Sequence, residues 1–494
     1  MEHTELNNPK KSNCTACPEC QGRGKRHRRL NKKARLQFQK TLEAFQQNQS
    51  QAPEQLPPIR PKGQPYPCSN CNGTGLIPSE NPPPADTENY PHVAIIGGGI
   101  GGVALAIACL HRGIPFTLYE RDHSFDSRSQ GYGLTLQQAS KAIQALGIDS
   151  LTEGVISTRH VVHSTDGNIL GEWGIRKWKA SEAQKPSTTN KRTNIHIARQ
   201  ALRHALLDQL PSHSTVKWNH QFLDYSENET DTTSINLRFQ VAGEITHQKA
   251  DLIVGADGIR SSVRKQLIPE EHSPLQYLGC IVILGICPLS QLNNLESPLL
   301  DSATVFQTAN GNERIYMMPY DSDSIMWQLS FPMPEEQAKA LSAKGTTALK
   351  QEACRRTQWH SPIPQIMAAT KEAQISGYPV YDRALLQPQD LQPAHHLTLI
   401  GDAAHPMSPF KGQGANQAIL DALSLARNIS MGCRPLSEWR KIGLRQAALN
   451  EFESEMLARS ATKVKDSAEA AEFLHSDIAL HEGNEPRGRC LKRP

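Results

Sequence analysis

Apolar residues are sparse up to about residue 91 and dense beyond it. In the front segment only residues 30–50 carry a helical pattern. Leu30, Ala34, Leu36, Phe38, Leu42 and Phe45 fall mostly at three- and four-residue steps, with basic and Gln-rich faces between them. Six prolines over 52–67 and the run Asn81-Pro-Pro-Pro84 read as extended linker. Ordered pattern begins at Val93, which places a domain boundary near 86–91. From there His92–Ile96 reads as a buried strand, Gly101–Leu110 as a helix and Thr117–Glu120 as a second strand. Ile197–Leu210 has amphipathic helical spacing, and 216–256 is β-rich with turn signals. Residues 275–285 and 313–331 are rich in β-formers and predict a second sheet. Leu397–Ile400 predicts another buried strand feeding a long helix from about 413, and 447–475 reads as a charged helix. The uncharged run Val93–Leu110 is long enough for a membrane span. Five of its residues are glycines at 97–102, which favour a strand, a turn and a helix start instead.

Composition narrows the class. With 494 residues, 38% hydrophobic and 21% charged, the chain can bury a sizeable core and is not disordered as a whole. The net charge of +4 gives no strong global attraction to nucleic acid or membrane. Its distribution is uneven, because residues 1–85 carry a net +7 and the remainder a net −3. No secretory pattern is visible in Met1–Lys11, so a cytoplasmic, reducing compartment is expected. Five of the eleven cysteines fall in the first 85 residues, and in that compartment a metal site is expected of them rather than disulfides.

Three motifs in the body carry chemistry. Gly97-Gly98-Gly99-Ile100-Gly101-Gly102 fits G-x-G-x-x-G after a strand and before a helix. Gly97 suits the tight turn, Gly99 the approach of backbone to a pyrophosphate, and Gly102 close helix–strand packing. Glu120 ends the next strand, where an acid can bind the ribose hydroxyls of an adenosine. The second motif, residues 251–264, runs a buried strand into Asp257-Gly258, with Ser261 as a helix cap. The third, residues 397–422, delivers Asp402 at a strand end and then Gly412-Gln413-Gly414 at a helix start. Backbone N–H groups exposed there can stabilise a delocalised anion such as a reduced flavin ring.

The front segment repeats C-x-x-C-x-G-x-G, at Cys17-Pro-Glu-Cys20-Gln-Gly-Arg-Gly24 and Cys68-Ser-Asn-Cys71-Asn-Gly-Thr-Gly75. Four thiolates suffice for a closed tetrahedral zinc site, with Cys14 a possible alternate ligand. The pair resembles the zinc-binding repeats of DnaJ-type chaperones. The basic run from Arg23 to Arg35 has no aromatic interleaving, so a nucleic-acid partner is not expected.

In order and spacing, the three body motifs resemble the class A flavoprotein monooxygenases, over roughly 90–475. The resemblance implies an α/β fold like 4-hydroxybenzoate hydroxylase: a Rossmann-like FAD-binding domain (86–475) interleaved with a mainly β substrate domain, its sheet roughly 160–195 and 270–385. A polar tail would follow at 476–494. It implies one FAD, with Gly97, Gly99 and Gly102 at the pyrophosphate, Glu120 and Arg121 at the adenosine, and Arg199 reaching the cofactor. Asp257 would serve FAD and NAD(P)H use, Asp402 the ribitol, and Gly412, Gln413 and Gly414 the flavin pyrimidine edge. Arg128 falls where relatives place residues beside the flavin ring. The implied reaction reduces FAD with NAD(P)H and hydroxylates a small aromatic or polycyclic substrate with dioxygen, through a flavin C4a-hydroperoxide. No catalytic acid or base is singled out, and a structural imidazole is the expected role of His405. A reductase or halogenase of the same fold, or a flavin-binding sensor with a zinc module for partner binding, are the alternatives; the halogenase motif W-x-W-x-I-P is missing.

Overall fold

The computed structural model describes residues 13–48, 58, 61, 63–127, 131–177, 194–212, 215–227, 234–292 and 295–486. The chain divides into two compact units, Met1–Pro83 and Pro84–Pro494. Arg128, and residues 178–193 of the expected substrate sheet, lie outside the described residues.

In the larger unit, a five-stranded parallel sheet runs in the order Val216–Lys217, Phe116–Tyr119, Val93–Ile96, Leu252–Gly255, Leu397–Leu399. Its central strand, Val-Ala-Ile-Ile, is buried at every position, as an apolar run covered on both faces requires. Helix Ile100–Leu110 has almost no polar face and is buried nearly throughout. It packs against the long helix Gly414–Gly432.

A second, seven-stranded sheet has the order 169–173, 159–163, 304–309, 314–319, 324–332, 275–288, 375–383. All its pairings are antiparallel except that between 159–163 and 304–309. Side chains alternate across it. Ile315, Met317, Trp327 and Leu329 go to an apolar core with the helices over 335–369, and the Trp327 indole N–H donates to Thr370 at 2.9 Å. Arg314, Tyr316, Met318, Met326 and Gln328 go to the other face. The fold is the mixed α/β architecture expected of a flavin domain interleaved with a β substrate sheet.

The helix expected over Ile197–Leu210 begins later. Ile195–Ala198 is a strand, paired with Gly133–Leu136 and Val155–Ile156, and the helix is Arg199–Leu207. Pairing on both sides overrode a helical spacing that the short stretch Ile-His-Ile-Ala shares with a strand. The start of the expected polar tail forms a turn of helix at Asp477–Leu480 with Ala479 buried.

In the smaller unit, Cys14–Ala16 pairs with Leu76–Pro78 and Lys25–His27 with Pro65–Pro67, so strand now occupies the end of the expected linker. The helix spans Lys32–Asn48. The buried cluster of this unit is the four cysteines, with Ile77 against them.

Candidate active site

The first glycine turn is set by sterics. Gly97 has φ +111°, and a Cβ there would lie 2.5 Å from the Ala256 carbonyl oxygen. At Gly102 a Cβ would meet the Gly97 carbonyl at 1.9 Å, so the helix can approach the strand only without a side chain. Glu120 is buried against this loop. Its carboxylate accepts from the Gly98 amide at 2.8 Å and the Asp122 amide at 3.0 Å. Arg203 ties both parts together, donating to the Gly98 carbonyl at 2.7 Å with its guanidinium 3.8 Å from Glu120.

Beside this loop opens a cavity of about 860 Å³. Gly99, Arg199, Asp402, Gly412, Gln413 and Gly414 line one end of it. Asp402 opens into the cavity, and its carboxylate has no hydrogen-bond partner among the described residues. The protein enclosing the cavity raises its pKa above the ordinary carboxylate value, against the pull of His405 and Arg199. The other end is the face of the seven-stranded sheet, with Val305, Tyr316, Met318, Met326 and Tyr378.

Gly97, Gly102 and Glu120 build the glycine turn without lining the cavity, and two further expected residues stand apart. Arg121 is exposed and does not line the cavity. Asp257 is spent on the helix Ser262–Leu267. It takes hydrogen bonds from the Ser261 hydroxyl and from the Ser262 and Val263 amides at 2.7 and 3.3 Å. Burial outweighs these bonds and raises its pKa. The neighbouring Gly258 and Arg260 line the cavity instead. Ser261 caps that helix, accepting from the Arg264 amide at 2.9 Å.

The glycine loop before the long helix is held by residues that sequence reading missed. Asn416, fully buried, accepts from the amides of Gln137 (2.8 Å) and Ala139 (3.0 Å). It donates to the carbonyls of Thr135 (2.9 Å) and Gly412 (2.8 Å). Gln413 donates to the Gln137 side chain at 2.8 Å. Under the loop, Asp421 accepts from the Gly401 amide (2.9 Å) and Arg459 (2.7 Å) and lies 2.7 Å from His405 Nε2. Burial alone would raise this carboxyl, but His405, Arg459 and the amide hold it below its ordinary value. His405 is thus a buried support for the Asp402 turn. The one signal for Asn416 was a polar residue on the first turn of the helix, next to the glycine loop.

In the smaller unit, the Sγ atoms of Cys17, Cys20, Cys68 and Cys71 all lie within 4.8 Å of one another. Cys17–Cys68 and Cys20–Cys71 are 3.9 and 3.6 Å apart. Tetrahedral zinc thiolates, with Zn–S of about 2.3 Å, place sulfurs about 3.8 Å apart. The amides of Gly24 and Gly75 donate to Cys20 and Cys71 Sγ at 3.3 and 3.2 Å. Cys14 sits in its strand outside the cluster.

Residues 90–441 match the FAD binding domain family. The chain is 31% identical over 367 residues to the aurachin C monooxygenase/isomerase of Stigmatella aurantiaca, covering 73% of this chain and 86% of that protein. It is 26% identical over 344 residues to a 3-amino-4-hydroxybenzoate 2-monooxygenase of Streptomyces platensis, covering 69% and 80%. Among solved structures, Klebsiella pneumoniae HpxO complexed with FAD and uric acid shares the fold, with a TM-score of 0.61 and 19% identity over 81% of this chain and 90% of that one. The chain belongs to the class A FAD-dependent monooxygenases and is an FAD-dependent oxidoreductase. No helix among the described residues is long and apolar enough to cross a membrane.

Proposed function

We propose that the protein is an NAD(P)H-consuming monooxygenase that hydroxylates a small aromatic or polycyclic substrate within the 860 Å³ cavity. The observation that carries this reading is the continuity of that cavity, from a Gly-rich, Arg- and Asp-bearing end to a mainly apolar sheet face. The residues fit FAD. Gly97, Gly99 and Gly102 shape the pyrophosphate turn, and Glu120 and Arg121 stand at its adenosine side. Arg199 reaches along the cofactor. Asp402, turned into the cavity with its acceptor oxygens unused among the described residues, suits the ribitol hydroxyls. Gly412, Gln413 and Gly414 would face the flavin pyrimidine edge with the amides of the helix start. Asp257 would act on FAD and NAD(P)H use through the turn it holds, since Gly258 and Arg260 meet the cavity. The bound flavin supplies dioxygen activation and oxygen transfer, with NAD(P)H as reductant. The protein's share is to bind, orient and exclude water.

The test is NADPH oxidation by the FAD-loaded protein against a panel of aromatic compounds, with peroxide followed in parallel. Faster oxidation with little peroxide is expected for a true substrate. Quantitative return of NADPH as peroxide with every compound contradicts the reading and favours the reductase or sensor alternative.

For the front unit we propose one zinc ion held by Cys17, Cys20, Cys68 and Cys71. The support is the sulfur spacing and the two amides directed at sulfur.

A further inference from the structure

Among the described residues, the cavity face of the seven-stranded sheet carries one charged side chain, Arg314. It is 5% exposed. Its guanidinium lies 5.0 Å from the centre of the Tyr316 ring, and its Nε donates to Gln307 Oε1 at 2.8 Å. No carboxylate pairs with it among the described residues. The cavity's acidic residues are Asp402, at the glycine-loop end, and Asp466, on the helix Asn450–Phe473 three residues beyond Lys463. Burial pushes Arg314 down to about 10, so it is still charged at neutral pH. A buried charge without a counter-charge is strongly unfavourable unless something else needs it.

A second donor faces the same space. His196 is 1% exposed, with Nδ1 3.0 Å from the Thr135 hydroxyl and Nε2 without a partner among the described residues. Burial pushes this imidazole down to about 3, so it stays neutral. The direction of this bond follows the ring's tautomer: where Thr135 donates to Nδ1, the ring hydrogen sits on Nε2. Thr135 also hydrogen-bonds the Tyr316 phenol, which links the two donors.

We propose that the cavity takes its substrate as an oxyanion: an aromatic or conjugated compound bearing a carboxylate, phenolate or enolate, with Arg314 as its counter-charge and His196 Nε2 as a second hydrogen-bond donor. This rests on the monooxygenase reading of the cavity. The acidic residues at its ends leave that charge unanswered, and an anionic ligand completes it.

The test uses the FAD-loaded holoenzyme and matched acid–amide pairs whose amides carry no ionisable hydroxyl: benzoate and benzamide, cinnamate and cinnamamide, 2-aminobenzoate and its amide. Binding is read from the flavin absorbance. At least one acid is expected to bind tenfold or more tightly than its amide, and Arg314→Gln to remove that preference while FAD stays bound. In the absence of ligand, Arg314→Met is expected to leave Tm equal or raised, because it removes an uncompensated buried charge. Amides binding as tightly as acids, no acid perturbing the flavin, or a lowered Tm for Arg314→Met overturns the proposal. Oxygen uptake coupled to a neutral compound would overturn it and leave the monooxygenase reading standing. A wild-type protein that does not retain FAD would overturn that reading itself.

Discussion

At Asp402 a carboxylate is turned into a cavity without a protein partner among the described residues. Asp402→Ala is therefore expected to weaken FAD retention about tenfold or more, the worth of a hydrogen bond to a charged group. Flavin occupancy after gel filtration measures it, and full occupancy would move the ribitol elsewhere. Gly102→Ala is expected to be harsher, because its Cβ would overlap the Gly97 carbonyl at 1.9 Å. The turn would have to open, and the variant should emerge without flavin. The need for glycine at 97 and 102 was legible in the sequence because it follows from local turn geometry, and Asp402 stood out as an acid at a strand end. Asp421 and Asn416 were not legible in this way. Most of their partners are distant in the chain, 16 to 38 residues away for Asp421 and up to 281 for Asn416, so the sequence does not show what they hold.

Asn416 fastens the loop at 412, the strand end at 135 and the turn over 137–139 to the long helix. Asn416→Ala would leave the amides of Gln137 and Ala139 and two carbonyls without their bonds. The expected loss is about 2–4 kcal/mol, since each buried unsatisfied group costs about 1–3 kcal/mol and partial relaxation recovers some of it. Urea unfolding of the apo and FAD-loaded forms measures it, and a variant within 0.5 kcal/mol of wild type, roughly the range of neutral surface changes, would show that the loop is held otherwise. Strands and helices of strong period were readable: the Val93–Ile96 strand, the helix after it, and the β-rich stretches over 275–288 and 314–332. The four residues Ile195–Ala198 were not, because so short a run fits both periods and only its two neighbouring strands decide. Alternation put Trp327 and Gln328 on opposite faces, and the packing of the helices over 335–369 decides that Trp327 goes to the core and Gln328 to the cavity.

For the whole molecule, buried histidines set the acid limit. Burial pushes His160, His163 and His475 down to about 4 and His196 to about 3. In the unfolded chain each titrates near 6.5. Below that pH the unfolded state binds protons that the folded state refuses, so stability falls as pH drops from about 6.5 toward 4. Each group contributes up to about 1.4 kcal/mol per pH unit. Urea midpoints at pH 7.5 and pH 5 are expected to differ clearly, and equal midpoints would contradict the burial of these imidazoles. The front unit has a different dependence. Its buried cluster is four cysteines, so its order should require the metal. Chelation at neutral pH is expected to release about one zinc per chain and open the Met1–Pro83 unit to protease, with flavin occupancy unchanged. Resistance to protease after chelation would show that the fold of this unit stands without the ion.

The two-residue alternation of the seven-stranded sheet has an evolutionary consequence. Positions that line the cavity and positions that hold the fold are neighbours in sequence yet face opposite layers. Exchanges at Gln307, Tyr316, Met326 or Gln328 can reshape what the enzyme accepts while Ile315, Met317, Trp327 and Leu329 keep the sheet intact. Such a scaffold can diversify its chemistry by single steps without passing through unfolded intermediates in sequence space.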